Sequence, residues 1–261
     1  MLHELRLFFT ALQFFTRVPI PAWVGYGPAW LQDCARHYPL VGACVGAFGA
    51  LVLWLALLVF PPSVAVGLSM AATIWMTGGF HEDGWADTCD ALGGTVSRER
   101  ALQIMKDSRI GAYGAIGLVL MLGLKAATLT ALVQTQPLAA LLCLVLAHAA
   151  SRAAPVWLLH ALPYAGDAEH AKAKPMAMQV SGAGLGVALL WVLLIGLLCL
   201  WLQPQLMHAL AAAAVAALLA TWQMRRWLRQ RLGGFTGDTL GATQQLVELV
   251  ALLAALAVIH G

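Results

Sequence analysis

The chain has 261 residues, of which 61% are hydrophobic and 10% charged, and its mean hydropathy is +0.80. Soluble domains carry about 25% charged residues, so this composition excludes an ordinary soluble fold and predicts an integral membrane protein. The net charge of +3 is too small to indicate a nucleic-acid partner, and the five scattered cysteines, without a CxxC pair, give neither a disulfide framework nor a zinc site.

The apolar runs are long, rich in Leu and Ala, and lack dyad alternation. The expected architecture is therefore an all-α, polytopic membrane helical bundle forming one domain over residues 1–261, not a β-barrel. Residues 1–16 carry a helical apolar stripe (Leu2, Leu5, Phe8, Phe9, Leu12, Phe15) interrupted by His3, Glu4 and Arg6, the pattern of an interfacial or re-entrant helix. No short apolar core with a small-residue cleavage site follows, so no cleaved signal peptide is expected. Pro19 and Pro21 end this helix. Seven candidate spans follow, at residues 39–60, 64–80, 112–133, 137–161, 183–202, 205–222 and 243–260. Pro61-Pro62, Pro137 and Pro204 punctuate tight hairpins between them.

Charge placement orients the bundle. Of the 15 Lys and Arg residues, 13 fall in segments that this layout puts on one side: Arg6, Arg17, Arg36, Arg98, Arg100, Lys106, Arg109, Lys172, Lys174, Arg225, Arg226, Arg229 and Arg231. The positive-inside rule makes that side cytoplasmic, with the N-terminus inside and the C-terminus outside. Every acidic residue except Glu248 lies on the same side. The expected location is a bacterial cytoplasmic (inner) membrane, with the chemistry facing the cytoplasm. Lys125 and Arg152 fall within spans.

The most informative stretch is GGFHEDGWADTCDALGG at 78–94, with Glu82, Asp83, Asp87 and Asp90 inside nine residues. On a helix, Asp83, Asp87 and Asp90 share one face and Glu82 points about 100° away from Asp83. Like charges at this spacing destabilise a helix unless a cation neutralises them. An all-oxygen cluster suits Mg²⁺, and also Mn²⁺, better than zinc. A solvated acidic loop is the competing explanation. Glu82 fits a general base, a further metal ligand or a cap.

A second stretch, IMKDSRIGAYGAIG at 104–117, offers Lys106 and Arg109 to a phosphate or diphosphate, with Asp107 as a cap or metal-shell group. Gly111, Gly114 and Gly117 admit a close neighbour. A third, GGFTGDTLGA at 233–242, echoes the first in its Gly-Gly-Phe and later Asp. Thr236, Asp238 and Thr239 suit phosphate binding, or equally a helix N-cap at Asp238 or Thr239. In the fourth span, Arg152 and His148 lie i, i+4. Arg152 could hold a phosphate, pair with an acidic residue, or make a structural contact to Glu248 or a backbone carbonyl, whereas Lys125 reads as snorkelling or structural. The run MRRWLRQR at 224–231 is a topology anchor that also suits anionic membrane lipid.

Clustered carboxylates beside Lys and Arg at a membrane face point to phosphoryl transfer from a nucleotide-activated donor. A transporter would spread its charges along a path through the bilayer, which this chain does not do. The CDP-alcohol phosphotransferases carry DGxxAR, but here Asp83-Gly84 continues Trp85-Ala86-Asp87. The match is closer to another family. ALQFFTRVPIP at 11–21, GGFHEDGWADTCDALGG at 78–94, MKDSRIGAYG at 105–114 and FTGDTLGA at 235–242 together resemble the cobalamin synthase family, the adenosylcobinamide-GDP ribazoletransferases of vitamin B12 assembly.

The resemblance implies attack by the 5′ oxygen of α-ribazole, or of α-ribazole 5′-phosphate, on the cobinamide-side phosphorus of adenosylcobinamide-GDP. GMP leaves, and adenosylcobalamin or its phosphate forms. It implies Mg²⁺ as cofactor. Glu82, Asp83 and Lys106 are the catalytic candidates; Glu82, Asp83, Asp87 and Asp90 the metal ligands; Lys106, Asp107, Arg109, Arg152, Thr236 and Asp238 the substrate-binding residues. A homo-oligomer and contacts with other corrinoid-pathway enzymes are compatible with the same reading.

Overall fold

A computed structural model describes residues 2–166 and 177–261. Lys172 and Lys174, two of the charges used to orient the bundle, lie outside the described residues. Within them the chain is helical: α1 (Leu2–Phe15), α2 (Trp30–Asp33), α3 (Tyr38–Leu57), α4 (Pro62–Thr77), α5 (Phe80–Leu92), α6 (Arg98–Met105), α7 (Ala112–Thr135), α8 (Pro137–Ala161), α9 (Gly182–Leu202), α10 (Met207–Arg231) and α11 (Gly237–His260).

Local chemistry sets the boundaries. Pro62 and Pro137 open α4 and α8, where a missing N–H is harmless. Ser97, Ser181 and Thr236 cap α6, α9 and α11 by accepting backbone N–H bonds from Arg100, Gly184 and Thr239. Gly78 and Gly79 both adopt φ +71°, a left-handed conformation that suits glycine. They separate α4 from α5 by a 90° bend.

Six helical stretches are long and apolar enough to cross a membrane: Trp30–Leu57, Ala112–Thr135, Pro137–Ala161, Gly182–Leu202, Pro204–Arg231 and Gly237–His260. The bent pair Pro62–Thr77 and Phe80–Leu92 raises the number to seven if it counts as one span. Six of the seven expected spans have a long apolar helix as counterpart, with three adjustments to the layout. The span expected at 64–80 is α4 alone, only 16 residues long, and its continuation turns aside as α5. The basic run at 224–231 is helical, because nothing breaks α10 before Gly233. The last helix begins at Gly237 instead of residue 243, since the Thr236–Thr239 capping box starts it within the Gly/Thr-rich stretch. At 14 residues, or about 21 Å, α1 is too short to cross a core about 30 Å thick.

Helix α8 is the centre of the bundle and packs against α3, α7, α9, α10 and α11. Small residues permit this. A Cβ on Gly46 of α3 would lie 2.8 Å from the Val145 Cα of α8. Such close backbone approach drives association where lipid removes the hydrophobic gain. One apolar cluster (Leu7, Phe15, Tyr38, Leu158, Leu228, Phe235) packs the end bearing α1, α5 and α6. Another (Leu53, Leu129, Leu132, Cys143, Leu206, Leu252) packs the opposite end.

The connections at the first end are tied together. Arg231 Nη2 donates to the Gly94 carbonyl at 3.0 Å, and Arg98 donates to the carbonyls of Leu232 and Ala165. Phe235 N–H bonds the Pro163 carbonyl, and Ala165 N–H bonds that of Phe235. At the other end Gln203 bonds Gln136, joining two tight turns.

Candidate active site

The 90° bend at Gly78-Gly79 turns α5 away from the axis of α4. Helix α5 packs chiefly on α7 and α11. Gly84 makes the second contact possible. A Cβ there would meet the Asp238 carbonyl oxygen at 2.7 Å, so the start of α11 rests directly on α5. The motif glycine thus brings Asp238 beside the α5 carboxylates.

A cavity of about 560 Å³ opens along α5. Glu82, Asp83 and Asp87 line it, together with Phe14, Phe80 and, from the α6–α7 loop, Ser108 and Ile110. Among the described residues neither Asp83 nor Asp87 forms an ion pair. Burial, reinforced by the charges of Asp238, Asp83 and Asp90, pushes the Asp87 carboxyl up to about 7. Burial is the larger cause, and the neighbouring carboxylates add to it.

The residues expected to act here divide into groups. Glu82, Asp83 and Asp87 are brought together on the cavity, and Asp238 lies beside them. Asp90 shares the expected helix face, but its two carboxylate oxygens accept the N–H groups of Gly111 and Gly114, each at 2.7 Å. It caps the first turn of α7, where a negative charge is favoured. Gly111 and Gly114 have no Cβ to obstruct that carboxylate. The expected close approach at these glycines is therefore made by Asp90.

Lys106 is exposed at the end of α6. Asp107 and Arg109 form an ion pair at 2.6 Å on the same loop, with Arg109 87% exposed. Thr236 is the N-cap of α11, not Asp238 or Thr239, and its hydroxyl is buried in the capping box. Arg152 lies in the bundle interior, where its Nη1 donates to the His148 carbonyl at 3.0 Å. It interacts electrostatically with Glu248 and Glu82.

Behind α5 lies a buried polar network whose full extent the sequence did not reveal. Glu248 is its hub, paired with Lys125 Nζ at 2.8 Å and accepting from Gln244 Nε2 at 2.6 Å, with His148 Nδ1, which also faces Arg152 Nη1, 3.2 Å away. Lys125 is 5% exposed, so it is a buried partner and does not snorkel. The available signal was the polar trio Gln244, Gln245 and Glu248 inside an otherwise apolar span.

The carboxylate face fits a hard divalent cation in a restricted way. Among the described residues no group of three or more His, Cys, Asp or Glu side chains is poised around one ion. The donors are nevertheless all hard oxygens, and Glu82 Oε2 is a buried acceptor without a hydrogen-bond partner. Mg²⁺ commonly takes only one or two carboxylates and completes its shell with water and substrate phosphates. The face suits that mode of binding, not a preformed protein cage.

Comparison with known proteins identifies the family. A family model described as CobS, cobalamin-5-phosphate synthase, matches residues 7–256. A protein named adenosylcobinamide-GDP ribazoletransferase from Leptothrix cholodnii is 65% identical over 98% of this chain and 97% of its own length. Proteins of the same name from Albidiferax ferrireducens and Shewanella amazonensis are each 43% identical, over 94% and 96% of this chain and 95% and 94% of their own lengths. No solved structure matches. A match this long, carrying the acidic α5 and the capped start of α11 with it, shows that the chain belongs to the CobS family of cobalamin-5-phosphate synthases.

Proposed function

We propose that the cavity along α5 joins adenosylcobinamide-GDP to α-ribazole, or to α-ribazole 5′-phosphate, giving adenosylcobalamin or its 5′-phosphate and GMP. The observation that carries this reading is the 65% identity, over nearly the whole chain, to a relative named for that reaction. The family description, cobalamin-5-phosphate synthase, supports a product that keeps its 5-phosphate, and in this reading the attacking oxygen is then a ribose hydroxyl other than the expected 5′ oxygen.

In this reading Asp83 and Asp87 would hold Mg²⁺, or Mn²⁺, together with the diphosphate, and Asp238 adds negative charge beside them. When bound, the ion neutralises the diphosphate and the leaving phosphate. Glu82 has the position of a base. Its carboxylate, at the cavity wall, takes the proton of the attacking hydroxyl as the new P–O bond forms and the bond to the GMP phosphate breaks. Lys106 and Arg109 stand on the loop whose neighbours Ser108 and Ile110 border the cavity, and they clamp the diphosphate. Asp107 orients Arg109 through their ion pair. Asp90 serves by fixing the start of α7 and, with it, that loop. Arg152 acts through its charge on Glu82.

The bias of Lys and Arg toward one end supports a bacterial inner-membrane location with the cavity facing the cytoplasm. The test uses membranes containing the protein, adenosylcobinamide-GDP and α-ribazole, with cobalamin and GMP both quantified. Equal amounts of the two products are expected with Mg²⁺. Correctly inserted protein that forms neither would refute the assignment.

A further inference from the structure

The bundle interior is wired to one carboxylate of the cavity. Glu82 belongs both to the cavity wall and to the lining of the small polar pocket behind α5, which Lys125, His148, Arg152, Gln245 and Glu248 share. Between them stands Gln245, 2% exposed. Its Oε1 accepts from Lys125 Nζ at 2.9 Å. Its Nε2 donates to Glu82 Oε1 at 3.0 Å and to Gln244 Oε1 at 3.0 Å. An amide can be turned end for end, but here the choice is forced. The Lys125 ammonium only donates, so the amide oxygen must face it and the NH₂ must face Glu82. Lys125 is itself held by Glu248. Each member of the chain Glu248–Lys125–Gln245–Glu82 fixes the next.

We propose that Gln245 and Lys125 are positioning residues for the transfer reaction. They hold Glu82 through Oε1 and thereby fix the position of its carboxylate at the cavity wall. The proposal rests on the transferase reading above. Three facts carry it together: the three polar sites of the Gln245 amide are all engaged, its orientation is dictated from the buried side, and the one Glu82 oxygen it leaves alone is buried without a hydrogen-bond partner. A network serving stability alone has no need to extend to a residue of the cavity wall. Outer-shell partners of this kind, when removed, reduce activity about 10–100-fold.

The test is steady-state cobalamin formation by the full-length protein in membranes, at saturating Mg²⁺ and with varied adenosylcobinamide-GDP. Gln245→Leu and Lys125→Met should each lower kcat about 10–100-fold and leave KM within about twofold. Adding Gln245→Leu to Glu82→Gln should change kcat by less than about twofold, because the two act in series. Gln245→Glu keeps the volume and the Lys125 contact but sets an acceptor against Glu82. It should lose kcat to the same degree, and it serves as the test if the apolar variants do not fold. A folded Gln245→Glu or Gln245→Leu protein with wild-type kcat, or losses that multiply with Glu82→Gln, would overturn the inference. Inactive wild-type protein would instead refute the transferase reading itself.

Discussion

Asp87 and Glu248 are both carboxylates on helices of the same bundle, yet their surroundings are opposite. Glu248 is 1% exposed and meets Lys125, His148 and Gln244. Asp87 sits among Asp83, Asp90 and Asp238, and burial with these like charges pushes its carboxyl up to about 7. A charge whose partners come from its own chain holds a structure together. A charge surrounded by its own sign is stabilised only by something that arrives from outside. The two regions meet at Glu82, which takes a hydrogen bond from the interior and lines the cavity.

The comparison is tested most severely by removing divalent cations. If the open face depends on an added cation and the interior does not, chelation should reduce cobalamin formation to background. The thermal unfolding midpoint of the detergent-solubilised protein should stay unchanged. A midpoint that falls together with activity would mean that the ion supports the fold. Asp87→Asn should come next. It removes one negative charge from the open face and weakens the grip on metal and diphosphate. A loss of several kcal/mol of transition-state stabilisation corresponds to a drop in kcat of roughly 10²–10⁴. Because the substitution relieves like-charge repulsion, the unfolding midpoint should hold or rise.

Glu248→Leu probes the other region. It leaves the Lys125 ammonium buried without its counter-ion. Breaking a buried pair from one side costs about 3–5 kcal/mol, so the unfolding midpoint should fall markedly. Replacing Lys125 as well, as Lys125→Met with Glu248→Leu, should recover part of the loss, since an apolar pair avoids the stranded charge.

The sequence carried the outer region more fully than the inner one. The i, i+4, i+7 spacing of Asp83, Asp87 and Asp90 places them on one helical face, and α5 is helical there. That Asp90 is turned to the backbone of Gly111 and Gly114 depends on where α7 docks, which no local pattern encodes. The interior network was less legible because its links are remote in the chain. Lys125 and Gln245 are 120 residues apart, and Gln245 and Glu82 are 163 apart. Polar residues in an apolar span announce that partners exist, but not which ones. The hairpin boundaries were legible for the opposite reason: Pro61, Pro62, Pro137 and Pro204 act through their own φ and missing N–H. The double glycine at 78–79 marked a break, but its 90° angle depends on the packing of α5 against α7 and α11.

Thr236 gives the smallest effect and separates two meanings of the same residue. The stretch 233–242 suits phosphate binding as well as helix capping. The structure buries the Thr236 hydroxyl, which accepts from the Thr239 N–H while the Thr239 hydroxyl accepts from the Thr236 N–H. If capping is its role, Thr236→Ala should cost about 1 kcal/mol of stability and leave KM for adenosylcobinamide-GDP unchanged. If the hydroxyl holds a phosphate instead, KM should rise while the unfolding midpoint barely moves. Thr236→Ser keeps the oxygen and should restore stability in the first case and KM in the second. The rescue therefore reports on whichever quantity the alanine variant lost. A capping result would leave Asp238 as the group through which the start of α11 acts on the cavity, because Gly84 lets its backbone rest on α5 beside Asp83 and Asp87.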